Sequence, residues 1–185
     1  NDARSYLILA QLYMNSGNFE RAIEALQIAL QISPKKQIAL LMLADVYTRQ
    51  EKYNDAIEYA QRAYELDQSY TQAADSAAAI AIYAGDQELA DKILEQHYGT
   101  IITGNEIIMN AYTRVGNHER LRDIWLNFFI EKYPNDAHYR RKLAESYEAL
   151  GQKQNAIEAL EKAIELDPSF AEDGKKRIIE LRNKP

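Results

Sequence analysis

The residues best suited to catalysis or metal binding are scattered along this 185-residue chain. Its three histidines, His97, His118 and His138, are far apart, and the motif HERLR lacks the second histidine of a zinc-protease helix. The chain has no cysteine, which excludes disulfides, thiolate catalysis and cysteine-ligated zinc. It has neither a glycine-rich phosphate loop nor a nucleophile elbow. We therefore expect no enzymatic activity, no metal site and no cofactor.

The balance of charge narrows the class of partner. There are 28 acidic and 22 basic residues, which give a net charge of -6 and an isoelectric point near 5.2. Carboxylates such as Glu20, Glu24 and Glu158 recur at positions that suit solvated helix faces, whereas an acid–base pair requires burial and convergence. Binding to nucleic acid requires a concentrated basic surface, and no basic stripe is present. We expect a protein or peptide partner and no nucleic acid.

Two further absences bear on location. No apolar run approaches the roughly 20 residues that span a bilayer, and no signal peptide is visible. We expect no direct insertion of this segment into a membrane. Because a chain without cysteine tolerates both reducing and oxidising surroundings, the sequence is compatible with a soluble domain of either the cytoplasm or the periplasm.

The elements that must position these side chains recur along the sequence with a period of about 34 residues. Each copy places large, small and aromatic residues at fixed distances from a turn, and the fourth copy is the most degenerate. The matching residues are Tyr6, Leu9, Ala10, Tyr13, Phe19, Ala22, Leu26, Ala29 and Pro34; Leu40, Leu43, Ala44, Tyr47, Tyr53, Ala56, Ala60 and Ala63; Ala77, Ala78, Ala90 and Leu94; Ile108, Tyr112, Leu121 and Trp125; and Leu143, Ala144, Tyr147, Ala156, Leu160, Ala163 and Pro168.

Within each copy the apolar residues are three and four apart, which predicts helices with one buried stripe. Gly17, Gly85, Gly116 and Gly151 separate two such stripes, as expected where a helix ends in a left-handed residue. Each copy is therefore predicted to be a pair of antiparallel helices, and alanine allows the two to approach closely. Because one pair cannot bury its own stripe, successive pairs must stack.

This pattern resembles the tetratricopeptide repeat over residues 3–170. The resemblance implies an all-α, right-handed α-solenoid of five helix-turn-helix units, with boundaries near 3–36, 37–70, 71–101, 102–136 and 137–170. A polar capping helix at 169–183 should follow, and Ser169 and Glu172 have the spacing of a capping box. We expect residues 1–185 to form one domain. Because the apolar first helix lacks an equivalent cap, we also expect the chain to be a fragment of a longer protein.

In tetratricopeptide proteins the ligand usually lies in a concave groove lined by first-helix residues. The resemblance assigns the partner-binding groove here to Leu7, Gln11, Met14, Ile38, Leu41, Asp45, Arg49, Tyr83, Asn110, Arg114 and Arg141, with Asp75 at a further groove position. The groove is apolar at its N-terminal end. The stretch QIALLMLADVY is richer in apolar residues than stacking requires, which indicates either an exposed contact site or burial by curvature.

One subset of the family grips the C-terminal carboxylate of chaperones through lysine, asparagine and other basic or amide residues. The corresponding positions here hold Leu7, Gln11, Met42, Gln72 and Ser76, which do not form such a clamp. A short helix or extended segment with two or three apolar anchors is the better match for this groove.

The spacing of about 34 residues is interrupted between the third and fourth repeats. Gly85 and Gly116 are only 31 residues apart, with Gly99 and Gly104 between them and Asn105 placed to cap a shortened helix. The aromatic stretch LRDIWLNFFIEKYP follows. It indicates a local change of packing, and an aromatic binding pocket is the alternative.

Two classes of function follow. The first is a non-catalytic protein-protein interaction scaffold that holds a peptide in its groove. The second is a C-terminal regulatory or assembly module of a larger bacterial protein, self-associating as a homo-oligomer through the uncapped N-terminal face. The segments YGTIITGNEIIMNAYTRVGN and AIELDPSFAEDGKKRIIELRNKP are similar to repeat tails of bacterial O-antigen polymerase and ligase-type membrane proteins, which supports this alternative.

Overall fold

The computed structural model describes residues 2–183, and every regular element in that range is helical. The α-helices are α1 (Ala3–Asn15), α2 (Phe19–Ile32), α3 (Gln37–Arg49), α4 (Tyr53–Leu66), α5 (Thr71–Ala84), α6 (Gln87–Tyr98), α7 (Glu106–Val115), α8 (His118–Ile124), α9 (Ala137–Ala149), α10 (Lys153–Leu166) and α11 (Ala171–Asn183). The predicted all-α fold is confirmed for these residues. Asn1, Lys184 and Pro185, which the predicted domain includes, lie outside the described range.

The described chain divides into two compact units, an N-terminal unit of residues 2–101 and a C-terminal unit of residues 102–183. In the N-terminal unit α1 packs on α2, α3 on α4 and α5 on α6, while α2 contacts α3 and α4 contacts α5. Alanines such as Ala10 and Ala22 in the first pair are fully buried, so the helix backbones can approach closely. The assignment of one domain with five repeat boundaries stays a prediction.

In the C-terminal unit α7 packs on α8, α9 on α8 and α10, and α11 on α10. Helix α11 buries Ile178 and Leu181 and exposes most of its other side chains, as expected of a capping helix. The Ser169 hydroxyl donates to Asp167 Oδ1 at 2.5 Å, and the Ser169 backbone N–H donates to the same oxygen at 3.1 Å. Ser169 is thus bound by Asp167 in a short 3-10 turn, Pro168–Phe170, ahead of α11.

The turns inside the helix pairs share a left-handed residue. Gly17, Gly85, Gly116 and Gly151 have φ values of 74°, 79°, 70° and 71°. The second pair has no glycine there, and Glu51 adopts the same conformation with φ 59°. An L-residue with a side chain is strained in this region, because its Cβ approaches the following carbonyl oxygen.

The fourth pair departs from the others in a way that the sequence indicated only in part. Asn105 caps the shortened helix α7 as predicted, since its Oδ1 accepts hydrogen bonds from the N–H groups of Ile107 and Ile108. Helix α8 then continues into a π-helical segment, Trp125–Ile130. A Cβ at Gly104 would lie 2.2 Å from the Phe128 ring, so the aromatic segment requires glycine at that position.

Candidate functional site

The predicted groove residues lie on the first helices of successive pairs. The N-terminal unit carries Leu7, Gln11 and Met14 on α1, Ile38, Leu41, Asp45 and Arg49 on α3, and Tyr83 on α5, while the C-terminal unit carries Asn110 and Arg114 on α7 and Arg141 on α9. Helical spacing predicts the face on which a residue lies but not its depth. In the structure most of the apolar residues are buried and most of the polar residues are exposed, with Ile38 as an exposed apolar exception.

The apolar members are mostly part of the protein core. Met14 and Leu41 are only 4% and 7% exposed, and Leu7 packs partly buried against the core that α1 shares with α2 and α3. Full burial of such a side chain stabilises a protein by about 2 kcal/mol. Of the apolar residues predicted in the groove of this unit, Ile38 is the one that remains well exposed, at 40%. Met14 and Leu41 therefore form a floor beneath the surface.

The exposed members form hydrogen-bonded pairs one helical turn apart. Gln11 Nε2 donates to Asn15 Oδ1 at 3.0 Å on α1. Arg49 Nε donates to both carboxylate oxygens of Asp45 on α3, at 3.1 Å and 3.2 Å. Asp45 follows Gln11 by one repeat period and Arg49 follows Asn15 likewise, so an amide pair and an ion pair occupy equivalent positions on consecutive first helices.

The ion pair can be opened at little cost. Both side chains are nearly half exposed, and an exposed pair of this spacing contributes only about 0.3–0.5 kcal/mol. The hydrogen bond to Asp45 raises the pKa of Arg49, so the guanidinium is charged at every pH at which the protein folds. Arg49 can therefore exchange Asp45 for an acceptor on a ligand.

On α5 the predicted groove position Asp75 is buried and unavailable to a ligand. Its carboxylate accepts a hydrogen bond of 2.5 Å from the Tyr98 hydroxyl on α6. Its neighbours on the same face, Ala79 and Ile82, are also buried. The groove assignment of Asp75 therefore needs correction, because a polar side chain with an internal partner can serve the fold.

In the C-terminal unit, Arg141 serves a structural contact. Its Nη1 donates to Asp167 Oδ2 at 3.5 Å, and its guanidinium lies 5.0 Å from the centre of the Phe170 ring. Hydrogen bonds from Ser169, with a smaller contribution from Arg141, hold the pKa of Asp167 below its ordinary value. Arg141 thus links α9 to the turn before α11. Asn110 and Arg114 are exposed on α7.

The aromatic stretch of the fourth repeat packs against Tyr139 on α9. Tyr139 stacks on Phe129 with ring centres 4.6 Å apart, and Trp125 and Tyr133 stack on Tyr139 at 6.3 Å and 5.7 Å. Tyr133 is 44% exposed and lines an open cleft of about 520 Å³, which the other rings do not line. The geometry favours a change of packing over an aromatic pocket, and π-helical segments are one way to make such a change.

One of the three histidines, His97, makes structural contacts. His97 Nδ1 lies 3.0 Å from the Gln68 carbonyl oxygen and Nε2 lies 3.2 Å from Thr71 Oγ1, so the ring fastens the loop between α4 and α5 to α6. Among residues 2–183, no three histidine or acidic side chains are grouped to hold a metal ion. None of the described helices has the length and apolar character that crossing a bilayer requires.

Comparison with curated protein sequences gives no match. Among solved structures, the crystal structure of MamA protein is 20% identical over 92% of this chain and 94% of that chain, with a TM-score of 0.67. A tetratricopeptide repeat protein from Parabacteroides merdae is 15% identical over 97% of this chain and 75% of its own, with a TM-score of 0.63. YrrB, described as a TPR protein with an unusual peptide-binding site, is 20% identical over 95% and 92%, with a TM-score of 0.60.

At these identities the likeness concerns the fold alone, and it confirms the predicted class of α-solenoid repeat fold. Family assignment comes from the sequence itself. Two sequence models of the tetratricopeptide repeat match residues 7–74 and residues 139–170. These ranges together make up more than half of the chain, and their helix pairs are those described above. The chain belongs to the tetratricopeptide repeat family.

Proposed function

We propose that this chain is a non-catalytic scaffold that binds a peptide, or an extended segment of a partner protein, along the first helices of the N-terminal unit. One observation carries the proposal: α1 and α3 present exposed hydrogen-bonding pairs at equivalent positions above a buried apolar floor. Ile38, at the start of α3, adds an exposed apolar contact beside them.

The spacing of these helices suits an extended ligand. Helices α1 and α3 contribute to one buried cluster with α2. Helices that pack in this way lie about 8–10 Å apart, and an extended chain advances about 3.3 Å per residue. Consecutive first helices can therefore contact residues about three apart in the ligand. The amides of Gln11 and Asn15 both donate and accept hydrogen bonds, as main-chain recognition requires. Asp45 and Arg49 would select for charge.

The comparison with YrrB supports a peptide ligand, because that protein has the same kind of fold and a peptide-binding site. Binding by an extended segment also agrees with the way in which peptide-binding proteins obtain affinity from main-chain hydrogen bonds and specificity from pockets.

The proposal is tested by selecting peptides from a displayed random library against the full chain and measuring one labelled peptide by fluorescence anisotropy. Arg49→Glu is expected to weaken its affinity about tenfold, because the cation that meets the ligand is replaced by an acid. Leu41→Glu is unsuitable for this purpose, since Leu41 is buried and the substitution would lower the stability of the fold along with any binding.

A matched control lies on α4. Arg62 also pairs with an acid one turn away, Glu58, and the two side chains are 47% and 66% exposed. Arg62→Glu therefore makes the same change of charge away from the first helices, and we expect less than about a twofold change in affinity. Equal weakening by both variants, no weakening by Arg49→Glu, or failure to select any peptide would each contradict the proposal.

Self-association through α1 is the second candidate, and exposed apolar side chains favour it. Ile8 and Leu12, one turn apart on α1, are 65% and 60% exposed. Sedimentation velocity should show an average mass that rises with concentration, and Ile8→Glu with Leu12→Glu should abolish the rise. Ile179→Glu removes an equally exposed residue of α11 and should behave like the parent chain. A parent chain that is monomeric at millimolar concentration would exclude this candidate.

The relation to O-antigen polymerase and ligase tails stays a prediction, since none of the relatives described above is a protein of that kind. Under that alternative the chain would act as an assembly module for a larger bacterial protein. The absence of catalysis is likewise part of the proposal. Both ring nitrogens of His97 are held in structural contacts, which supports a non-catalytic role for this histidine.

A further inference from the structure

We propose that a second site, a cleft beside Tyr53, binds the guanidinium of an arginine in a partner protein. The cleft has a volume of about 280 Å³ and lies between the α3–α4 turn and the C-terminal end of α5. It is lined by Glu51, Lys52, Tyr53, Asn54, Asp55 and Ala84. The site belongs wholly to the N-terminal unit and uses none of the groove residues on α1 or α3.

The charge around the cleft favours a cation. Glu51 and Asp55 line the cleft, and Lys52 is the one basic residue among those that line it. The last carbonyl groups of α5, which ends at Ala84, carry the negative end of that helix dipole. Residues 1–101 contain 14 acidic and 8 basic side chains, whereas residues 102–185 contain 14 of each, so the net negative charge of the whole chain resides in the first part.

The negative potential of this region also reaches a neighbouring tyrosine. Burial is the main cause that raises the pKa of Tyr47, but Tyr59, Asp55 and Glu58 add to it in that order. Asp55 and Glu58 therefore act across the gap between α4 and α3, and a cation near Asp55 would experience the same field.

An aromatic wall makes the cleft suited to a guanidinium in particular. Tyr53 lines the cleft, and its ring lies 6.0 Å from that of Tyr83 on α5, at an angle of 36°. The guanidinium is planar and weakly hydrated, so it stacks on tyrosine more readily than the ammonium of lysine does. It also carries five N–H donors that can meet the carboxylates of Glu51 and Asp55.

The backbone supplies an independent indication. Glu51 adopts the strained left-handed conformation in which the four other turns of this kind have glycine. A carboxylate is thus present at a position where glycine would be less strained, which is typical of residues kept for a function.

The turn at 150–155 provides an internal control, because it has the same length and the same left-handed residue, Gly151. Where the cleft has Tyr53 and Asp55, this turn has Lys153 and Asn155. It therefore has neither the ring nor the acidic side chains, and it should not bind a cation.

The test is an NMR titration of the full ¹⁵N-labelled chain with N-acetyl-arginine methylamide, followed by the same titration with the lysine analogue. We expect saturable amide shifts at residues 51–55 and 84 and none at 151–155. Arginine should bind about three times more tightly than lysine because of the stacking contribution. Tyr53→Leu should remove that preference.

Two double variants with the same change of net charge distinguish binding at this cleft from general attraction of a cation to the negatively charged chain. Glu51→Gln with Asp55→Asn should weaken arginine binding at least about fivefold. Glu20→Gln with Glu24→Gln, on the exposed face of α2, should change it less than about twofold. Equal weakening by both variants, or equal shifts at 151–155, would overturn the site. Arg49→Gln should weaken a groove peptide and leave the arginine titration unchanged, so the two proposals can fail separately.

Discussion

Two helix pairs of this chain can be compared residue by residue, because their helices begin and end at positions whose numbers differ by 100. Helices α3 and α4 span Gln37–Arg49 and Tyr53–Leu66, and α9 and α10 span Ala137–Ala149 and Lys153–Leu166. In both pairs the alanines on the facing helices are buried almost completely. These are Ala44, Ala56 and Ala63 in the first pair and Ala144, Ala156 and Ala163 in the second.

The pairs differ most in the first helix, at the three residues that precede Leu43 in α3 and Leu143 in α9. Leu40 and Leu41 are buried in α3, whereas the equivalent Arg140 and Arg141 are partly exposed in α9. One geometry therefore tolerates a change from apolar to basic side chains, provided that the small residues between the helices remain. The facing alanines specify the pair, and positions 40 and 41 of the first helix can be buried in one pair while their equivalents, 140 and 141, are partly exposed in the other.

The largest expected effect is at the equivalent positions 41 and 141, which differ in burial. Leu41→Glu places a charge without a partner in the core and should lower the free energy of unfolding by about 4 kcal/mol. Arg141→Glu loses the partly exposed contacts with Asp167 and Phe170 and should cost about 1 kcal/mol. Urea unfolding followed by circular dichroism measures both. Equal losses would mean that the depth of the two positions has been misjudged.

The next prediction concerns what the two pairs share. Ala44→Leu and Ala144→Leu each insert bulk between helices that have no space for it, and each should cost about 2 kcal/mol. Ala149→Leu makes the same substitution at an exposed site of α9 and should remain within about 0.5 kcal/mol of the parent. If Ala144→Leu is tolerated while Ala44→Leu is not, the alanines do not have the same role in the two pairs.

The repeated pattern of small and large residues was enough to predict the helices, because side chains at equivalent positions pack in equivalent ways. The turn at Glu51 was harder to recognise, since its glycine is missing and only the spacing indicates a left-handed residue. The π-helical segment was missed, because it depends on how Phe129 and Tyr139 stack across two helices. No local signal in the sequence reports such a contact.

The candidate site was predicted less well than the fold. Spacing placed Leu41 and Gln11 on one face, but their depth depends on how neighbouring helices cover them. The Asp45–Arg49 pair was recognisable as polar, and its geometry is what an i,i+4 spacing allows. Asp75 was misplaced because its partner, Tyr98, lies on another helix.

Substitutions at the two equivalent left-handed residues, Glu51 and Gly151, should change the free energy of unfolding by smaller amounts and in opposite directions. Glu51→Gly relieves about 1–2 kcal/mol of backbone strain in the folded state. Glycine also gives the unfolded chain more conformational freedom, which offsets part of this gain. We therefore expect the free energy of unfolding to rise by about 0.5 kcal/mol. Gly151→Ala introduces the strain and should cost about 1 kcal/mol. Open space surrounds Gly151, so a clash would not add to this cost. Thermal unfolding of the two variants should shift in opposite directions, and a shift in the same direction would contradict the comparison.

The smallest expected effect is electrostatic and concerns Asp67 and Asp167, which end the two pairs. A hydrogen bond from a serine two residues later is the main cause that lowers the pKa of each carboxyl. A lowered pKa favours the folded state above the unfolded pKa of about 3.9, and this contribution is lost as the pH falls through the folded pKa. Both Asp→Asn variants should therefore be less stable than the parent at pH 7, with a difference that disappears in acid.

Salt should separate the two carboxyls, because Arg141 contributes to the lowered pKa of Asp167 and no basic side chain contributes to that of Asp67. Raising the ionic strength from about 0.01 M to about 1 M shortens the screening distance from about 30 Å to about 3 Å. Carboxyl ¹³C titrations should then show a larger rise of the pKa for Asp167 than for Asp67, whose lowered pKa depends on hydrogen bonds that salt barely affects. The same rise at both carboxyls would show that Arg141 contributes nothing there, and the basic side chains of α9 would then be a difference of composition without an electrostatic consequence.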